Sequence, residues 1–286
     1  MQIIRANNTG FCFGVKRAIN KANKLIKEVN NEEIYMLGEI IHNPQVIKEF
    51  KEKGVQIVNE VSQVPYKKYL ITRAHGISSY DKDIAQKRNI KLIDTTCPYV
   101  KKLHQLISIL NKENYQIIIF GDINHPEIKS LLSYNNIDAK VFQSYKDIKS
   151  SCFAFKNKVG LISQTTKDKE DYKKLINEIF ENVEELRVYN TICKATSLRQ
   201  YSTRELAKRV DMMIVVGGLN SANTTRLAKI SERVGVETYH IENEKDIKKI
   251  YFKGKKKIGI TSGASTPDYI TESIINQIKK DYQAKT

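Results

Sequence analysis

The sequence predicts an α/β protein of three similar βα modules in a pseudo-threefold trefoil arrangement. Three observations carry this. Single cysteines, Cys12, Cys97 and Cys193, each open a segment with helical character, and they lie 85 and 96 residues apart. An apolar strand ending in glycine follows each one, with Gly38, Gly121 and Gly217 lying 26, 24 and 24 residues beyond their cysteines. Two further strand–loop units then recur in the same order. The modules are expected at residues 1–96, 97–192 and 193–286.

The second module is the clearest. In IKLIDTTCPYVKKLHQLISIL, a short apolar strand (Ile90, Leu92, Ile93) leads through small polar residues to Cys97. Val100, Leu103, Leu106, Ile107 and Leu110 then share one face at helical spacing. After Cys12, Val15, Ile19, Ala22 and Ile26 do the same, while the segment after Cys193 is only weakly periodic. A cysteine at a helix start meets unpaired N–H groups and the positive end of the dipole, both of which favour thiolate.

The glycine-ended strands are EIYMLGEI, YQIIIFGDI and VDMMIVVGGL, each running through a polar loop into an amphipathic segment. Such loops at the carboxyl ends of strands are where α/β proteins bind ligands. Short strands in VQIVNE, AKVFQS and ETYHIE come next, followed by KYLITRAHGISS, KVGLISQTTKD and KIGITSGASTPD. His75, Thr165 and Ser265 hold similar places in the last three.

Composition narrows the function without choosing it. The chain has 286 residues, 41% hydrophobic content and a formal charge of +16. It has no run long enough for a membrane span and no signal-peptide pattern at MQIIRANN, so a cytoplasmic protein without membrane attachment is expected. Four scattered cysteines do not form a secreted disulfide framework. Lysine is spread over many helix surfaces without a basic tail or a basic–aromatic repeat, so no nucleic-acid partner is expected. The excess charge suits an anionic small substrate and an acidic protein partner.

A threefold relation would bring the three cysteines together, ringed by His42, His75, His125, Glu127, Thr165, Ser221, Asn223 and Ser265. Three single thiolates from separate modules suit a central iron–sulfur cluster, and no C-x-x-C pair for structural zinc is present. Cys152 lies off the repeat register and reads as a small apolar residue, which leaves one iron open to a substrate oxygen. Each histidine alone would be an ordinary loop residue; three in loops after strands suit phosphate oxygens. His104 and His240 read as peripheral. NSANTT and SGAST offer hydroxyl, amide and N–H donors where helices begin, which suits phosphate but also ordinary capping. No G-x-G-x-x-G or G-K-[ST] supports a nucleotide. Glu127, in H-P-E, is either a proton donor kept neutral by burial or a first-turn carboxylate stabilised by the dipole. A three-cysteine zinc hydrolase of a phosphate ester is the alternative enzyme.

GFCFGVKRAI, EIIHNP, RAHGIS, DTTCPYVKK, GDINHPE, SQTT, NTICKAT, NSANT and SGASTPD together resemble the 4-hydroxy-3-methylbut-2-enyl diphosphate reductases, the LytB/IspH family. The likeness runs from residue 10 to about 270, and the ordered set is specific where no single motif would be. It implies three α/β domains around one [4Fe–4S] cluster per chain, held by Cys12, Cys97 and Cys193, with one iron not ligated by protein. It implies removal of the substrate's allylic hydroxyl with two electrons and two protons. The products would be isopentenyl diphosphate, dimethylallyl diphosphate and water, in the last step of the non-mevalonate (MEP) isoprenoid pathway. By the same likeness Thr165 and Glu127 hold the hydroxyl, and Glu127 is the proton source, through His125 or the substrate's own diphosphate. His42, His75, Ser221, Asn223 and Ser265 hold the diphosphate, with His125 closing the site. Ala222 stands where many members have serine: if that position contributes its backbone N–H the change is harmless, and if its hydroxyl matters diphosphate affinity falls. A ferredoxin or flavodoxin is the implied electron donor.

Overall fold

The computed structural model describes residues 1–29, 32–134, 139–150, 153–247, 252 and 254–283; Cys152 lies outside them. The chain opens with β1 (Gln2–Arg5), α1 (Phe13–Glu28), β2 (Ile34–Leu37), α2 (Pro44–Glu52), β3 (Gln56–Val58), β4 (Tyr69–Ile71), α3 (Ser79–Lys87) and β5 (Lys91–Ile93). It continues with α4 (Pro98–Lys112), β6 (Gln116–Phe120), α5 (Pro126–Ser133), β7 (Lys140–Phe142), α6 (Tyr145–Ser150), β8 (Lys158–Ser163), α7 (Lys169–Phe180) and β9 (Glu185–Val188). The last stretch holds α8 (Lys194–Ala207), β10 (Met212–Val216), α9 (Ala222–Val234), β11 (Glu237–Ile241), β12 (Lys257–Ser262) and α10 (Asp268–Gln283).

The described strands form three parallel four-stranded sheets, ordered β3-β2-β4-β5, β7-β6-β8-β9 and β11-β10-β12-β1. The repeat seen in the sequence is therefore one topology used three times. The third copy takes its last strand from the other end of the chain: β1 pairs with β12 from Gln2 against Lys257 to Arg5 against Ile260. The central strands β2 and β10 are buried along their whole length, as is β6 from Ile117 onward. Parallel sheets covered on both faces require such unbroken apolar runs.

The structure divides into two units. One holds residues 1–15, 42–45 and 194–286, with the β1-β12-β10-β11 sheet. Its core packs Met212, Ile214, Val216, Ile258 and Ile260 against Ile270, Ile274 and Ile278 of α10. The other holds residues 16–41 and 46–193, with the remaining two sheets. There Leu103, Ile107 and Leu110 of α4 pack on Ile117 and Ile119, the face predicted by their spacing.

The weak periodicity after Cys193 has a physical cause. Helix α8 forms, but it buries Thr196, Arg199, Gln200 and Thr203 alongside Leu206 and Ala207. Arg199 donates to the Gly10 carbonyl at 2.6 Å, and Thr203 shares a 2.9 Å hydrogen bond with Thr261. A face that packs through polar groups, against a loop at Gly10 and strand β12 at Thr261, leaves little hydrophobic periodicity to read.

Candidate active site

Each cysteine is half-buried at the start of its helix. Cys97 is the N-cap of α4, with Pro98 at the first helical position, where its missing N–H costs nothing. The Val15 N–H points at the Cys12 sulfur at 3.5 Å, the place of an N-cap acceptor.

The backbone fixes all three in the same way. The N–H groups of Cys97, Cys193 and Cys12 donate to the carbonyls of Ala74, Thr165 and Ala264 at 2.9, 3.1 and 3.1 Å. Those acceptors lie in turns closed by Gly76 to Arg73, Lys167 to Gln164 and Thr266 to Gly263, at 3.2, 3.1 and 3.2 Å. This register equates His75, Thr166 and Ser265, and sets Thr165 one residue earlier, beside Ala74 and Ala264. The two consecutive threonines in SQTT hide that single-residue difference from a reading by composition.

The glycine loops repeat as closely. The N–H groups of Gly38, Gly121 and Gly217 donate to the carbonyls of Val58, Phe142 and Ile241 at 2.6, 2.9 and 2.9 Å. Gly217 has φ +140°, and a Cβ there would lie 2.3 Å from Thr266 Oγ1, so no other residue fits without movement.

In the larger unit, the loop after β6 delivers His125 as the N-cap of α5, its Nδ1 accepting the Glu127 N–H at 3.2 Å. In a neutral ring this leaves the proton on Nε2. His75 meets His125 edge-on, with ring centroids 5.3 Å apart. Glu127 is 2% exposed. Both of its oxygens are held by one residue: the Thr165 N–H donates to Oε1 and the Thr165 hydroxyl to Oε2, each at 2.7 Å. Burial dominates these two bonds and pushes the carboxyl up to about 7. A carboxyl divided between its two protonation states near neutral pH can both hold and release a proton.

In the other unit, Ser221 is the N-cap of α9, its Oγ accepting the Thr224 N–H at 3.4 Å. Ser265 Oγ donates to the His42 carbonyl at 3.1 Å and lies 3.5 Å from Ser221 Oγ. A Cβ on Gly218 would come within 2.8 Å of that same carbonyl, so the loop after β10 lies flush against the His42 backbone. Ala222 occupies the first position of α9, where its N–H is one of the unpaired donors of a helix start. Asn223 is 4% exposed, yet neither Oδ1 nor Nδ2 has a partner among the described residues. Buried amides are mostly satisfied in folded proteins, so this one retains unused capacity for a polar partner.

Several supporting residues were not singled out from the sequence. Arg199 braces Gly10, two residues before Cys12. Arg17 donates to the Thr96 carbonyl beside Cys97 at 3.0 Å. Asp94 is held at about 2; burial acts to raise it, but bonds from Lys101 and Thr96 prevail. His104 and His240, read as peripheral, each stand behind a site loop. His104 lies 3.4 Å from Ser130 of α5 and is pushed down to about 4, first by burial and then by Lys82. His240 Nε2 lies 2.9 Å from the Gly217 carbonyl.

A family profile described as "LytB protein" matches residues 3–279. The chain belongs to the LytB family. Its curated LytB relatives are named 4-hydroxy-3-methylbut-2-enyl diphosphate reductase. One, from Nitratiruptor sp., is 42% identical over 98% of this chain and 99% of its own length. Another, from Aquifex aeolicus, is 41% identical over 98% and 96%. A solved structure of (E)-4-hydroxy-3-methyl-but-2-enyl diphosphate reductase, described as the terminal enzyme of the non-mevalonate pathway, matches with TM-score 0.70. It is 40% identical and is covered completely by 98% of this chain. The E-1-hydroxy-2-methyl-but-2-enyl-4-diphosphate reductase from Plasmodium falciparum matches with TM-score 0.89 and 30% identity, over 96% of this chain and 87% of that one. LytB membership implies an iron–sulfur cofactor. Three half-buried cysteines at helix starts are a donor set that fits it. No described helix is long and apolar enough to cross a membrane.

Proposed function

We infer that this chain is a reductase that removes the hydroxyl of 4-hydroxy-3-methylbut-2-enyl diphosphate. Two electrons and two protons convert the substrate to isopentenyl or dimethylallyl diphosphate plus water, the last step of the non-mevalonate pathway. The observation that carries this beyond kinship is the Glu127–Thr165 pair. It is a buried carboxyl near its midpoint at neutral pH, beside a hydroxyl, in a unit that also presents Cys97 and Cys193.

Cys12, Cys97 and Cys193, one from each of the modules at 1–96, 97–192 and 193–286, would hold one [4Fe–4S] cluster with one iron not ligated by protein. When bound, that cluster supplies single electrons and Lewis acidity toward the leaving oxygen. The chain's own residues position the substrate and handle protons. Thr165 Oγ1 holds the substrate hydroxyl and is itself oriented by Glu127 Oε2. Protonated Glu127 is the proton store. With its Nδ1 accepting the Glu127 N–H, a neutral His125 would offer its Nε2–H to the diphosphate as a donor, and the Glu127 proton would travel through the substrate's own diphosphate.

His42, His75, Ser221, Asn223, Ser265 and the Ala222 N–H would bind the diphosphate. The orphaned Asn223 amide and the helix-start N–H groups supply uncharged donors. The protein would work in the cytoplasm with a ferredoxin or flavodoxin as donor. Scattered single cysteines favour a reducing compartment.

The test is dithionite-driven turnover of the hydroxylated diphosphate by anaerobically purified protein. Glu127→Gln is expected to keep bound iron while losing turnover by roughly a hundredfold or more. Full turnover by that variant would remove Glu127 from the mechanism.

A further inference from the structure

We propose that the notch between α4 and the segment leading from β9 into Cys193 is the docking point for an acidic one-electron carrier protein. The proposal rests on the reductase reading and deepens it by placing the electron donor.

The notch is a cavity of about 150 Å³ within the larger unit, lined by Tyr99, Lys102 and Leu106 of α4 and by Tyr189, Asn190 and Ile192. Its walls are the backbone that carries two of the three cysteines. Tyr99 lies two residues beyond Cys97, and Ile192 immediately precedes Cys193. A protein seated there reaches two thiolate-bearing residues through a few covalent bonds, without entering the substrate loops. Short through-bond routes of this kind favour electron transfer over routes that cross open space.

The rim is rigid. Thr191 Oγ1 accepts the Ser163 N–H at 2.7 Å and donates to the Ser163 carbonyl at 2.6 Å. Buried Tyr172 donates to the Tyr189 carbonyl at 3.0 Å. A rigid rim loses little entropy when a partner docks.

Charge selects the partner. Two carboxylates at the ends of α4 are already engaged: Asp94, just before it, by Lys101 at 2.5 Å, and Glu113, just after it, by Arg187. Among the described residues no carboxylate pairs with Lys102, which is exposed on the rim. Arg17 and Lys21 lie against the start of α4, donating to the Thr96 and Asp94 carbonyls at 3.0 Å each. Tyr99, 42% exposed, gives this basic field an aromatic centre. Small interfaces with a flat aromatic centre and a charged rim suit transient redox encounters. Each encounter oxidises the carrier by one electron. Two encounters supply two electrons: as the C–O bond breaks they end in the new C–H bond of the product, with one proton going to that carbon and the other to the leaving hydroxyl, which departs as water.

The test uses the holoenzyme and a reduced acidic [2Fe–2S] ferredoxin as the probe. Binding is measured by calorimetry at low and high salt, and turnover is driven either by the ferredoxin or by dithionite. Lys102→Glu and Tyr99→Ala are expected to weaken ferredoxin binding and raise its KM about tenfold at low salt. Dithionite-driven turnover stays within about twofold of the parent. Lys280→Glu on α10 makes the same charge change elsewhere and is expected to alter neither reading. Ferredoxin binding unchanged in both variants, or absent from the parent at low salt, would overturn the proposal. So would equal losses with both reductants. Absence of dithionite-driven turnover in the parent, with ferredoxin binding intact, would instead strike the reductase reading.

Discussion

Thr165 grips both oxygens of Glu127, one with its backbone N–H and one with its hydroxyl, each at 2.7 Å. The same residue's carbonyl accepts the Cys193 N–H at 3.1 Å. One residue thus ties the proposed proton store, through its hydroxyl and N–H, to a proposed cluster ligand, through its backbone carbonyl. Thr165→Val keeps shape and backbone but removes the hydroxyl. It is expected to lower kcat by roughly tenfold to a hundredfold while iron content holds. Loss of iron without loss of kcat per iron would reverse the assignment.

Glu127 also makes a prediction about stability. Its carboxyl sits at about 7 when folded, above its ordinary value of 4.5. Below pH 4.5 both folded and unfolded chains carry it neutral. As pH rises through the window from 4.5 to 7, the unfolded chain ionises first and the folded state loses stability, by about 3 kcal/mol at completion. Glu127→Gln, neutral at every pH, should therefore match the parent at pH 4.5 and exceed it in denaturant midpoint at pH 8. Equal midpoints at pH 8 would mean that the carboxylate is better solvated than its burial indicates.

Asn223 should behave oppositely in binding and in stability. Its amide is buried without a partner, so Asn223→Ala removes an unpaid desolvation cost and is expected to leave stability unchanged or raised by about 1 kcal/mol. KM for the diphosphate substrate should rise about tenfold or more. A destabilised variant with unchanged KM would make Asn223 a structural residue.

Gly217 tests the loop that carries Ser221. With φ +140° and a Cβ that would approach Thr266 Oγ1 to 2.3 Å, Gly217→Ala forces movement at the start of α9. The expected cost is about 2 kcal/mol or more, together with weaker substrate binding. Thermal melting and KM report the two effects separately.

Sequence periodicity made the strands and the cysteine helices legible where one chemistry filled a whole face, as along Met212–Val216 or on Leu103, Ile107 and Leu110. It failed where polar groups do the packing: α8 buries Arg199 and Thr203, whose partners, Gly10 and Thr261, are distant in sequence. It also missed the pairing of β1 with β12, because no local pattern marks which sheet an isolated strand joins. Candidate site residues stood out because they recur in loops after repeated strands, whereas a single loop histidine, hydroxyl or H-P-E carboxyl is ordinary by itself. The supporting bonds of Arg17, His104 and His240 were not visible, since each runs from a side chain to a distant atom.

Anaerobic purification followed by iron and sulfide analysis, a visible spectrum and dithionite-driven turnover tests the central claim most directly. About four irons and four sulfides per chain are predicted, with brown colour and turnover abolished by Cys97→Ser. A colourless protein carrying stoichiometric zinc, with no reductive activity toward the hydroxylated diphosphate, would contradict it.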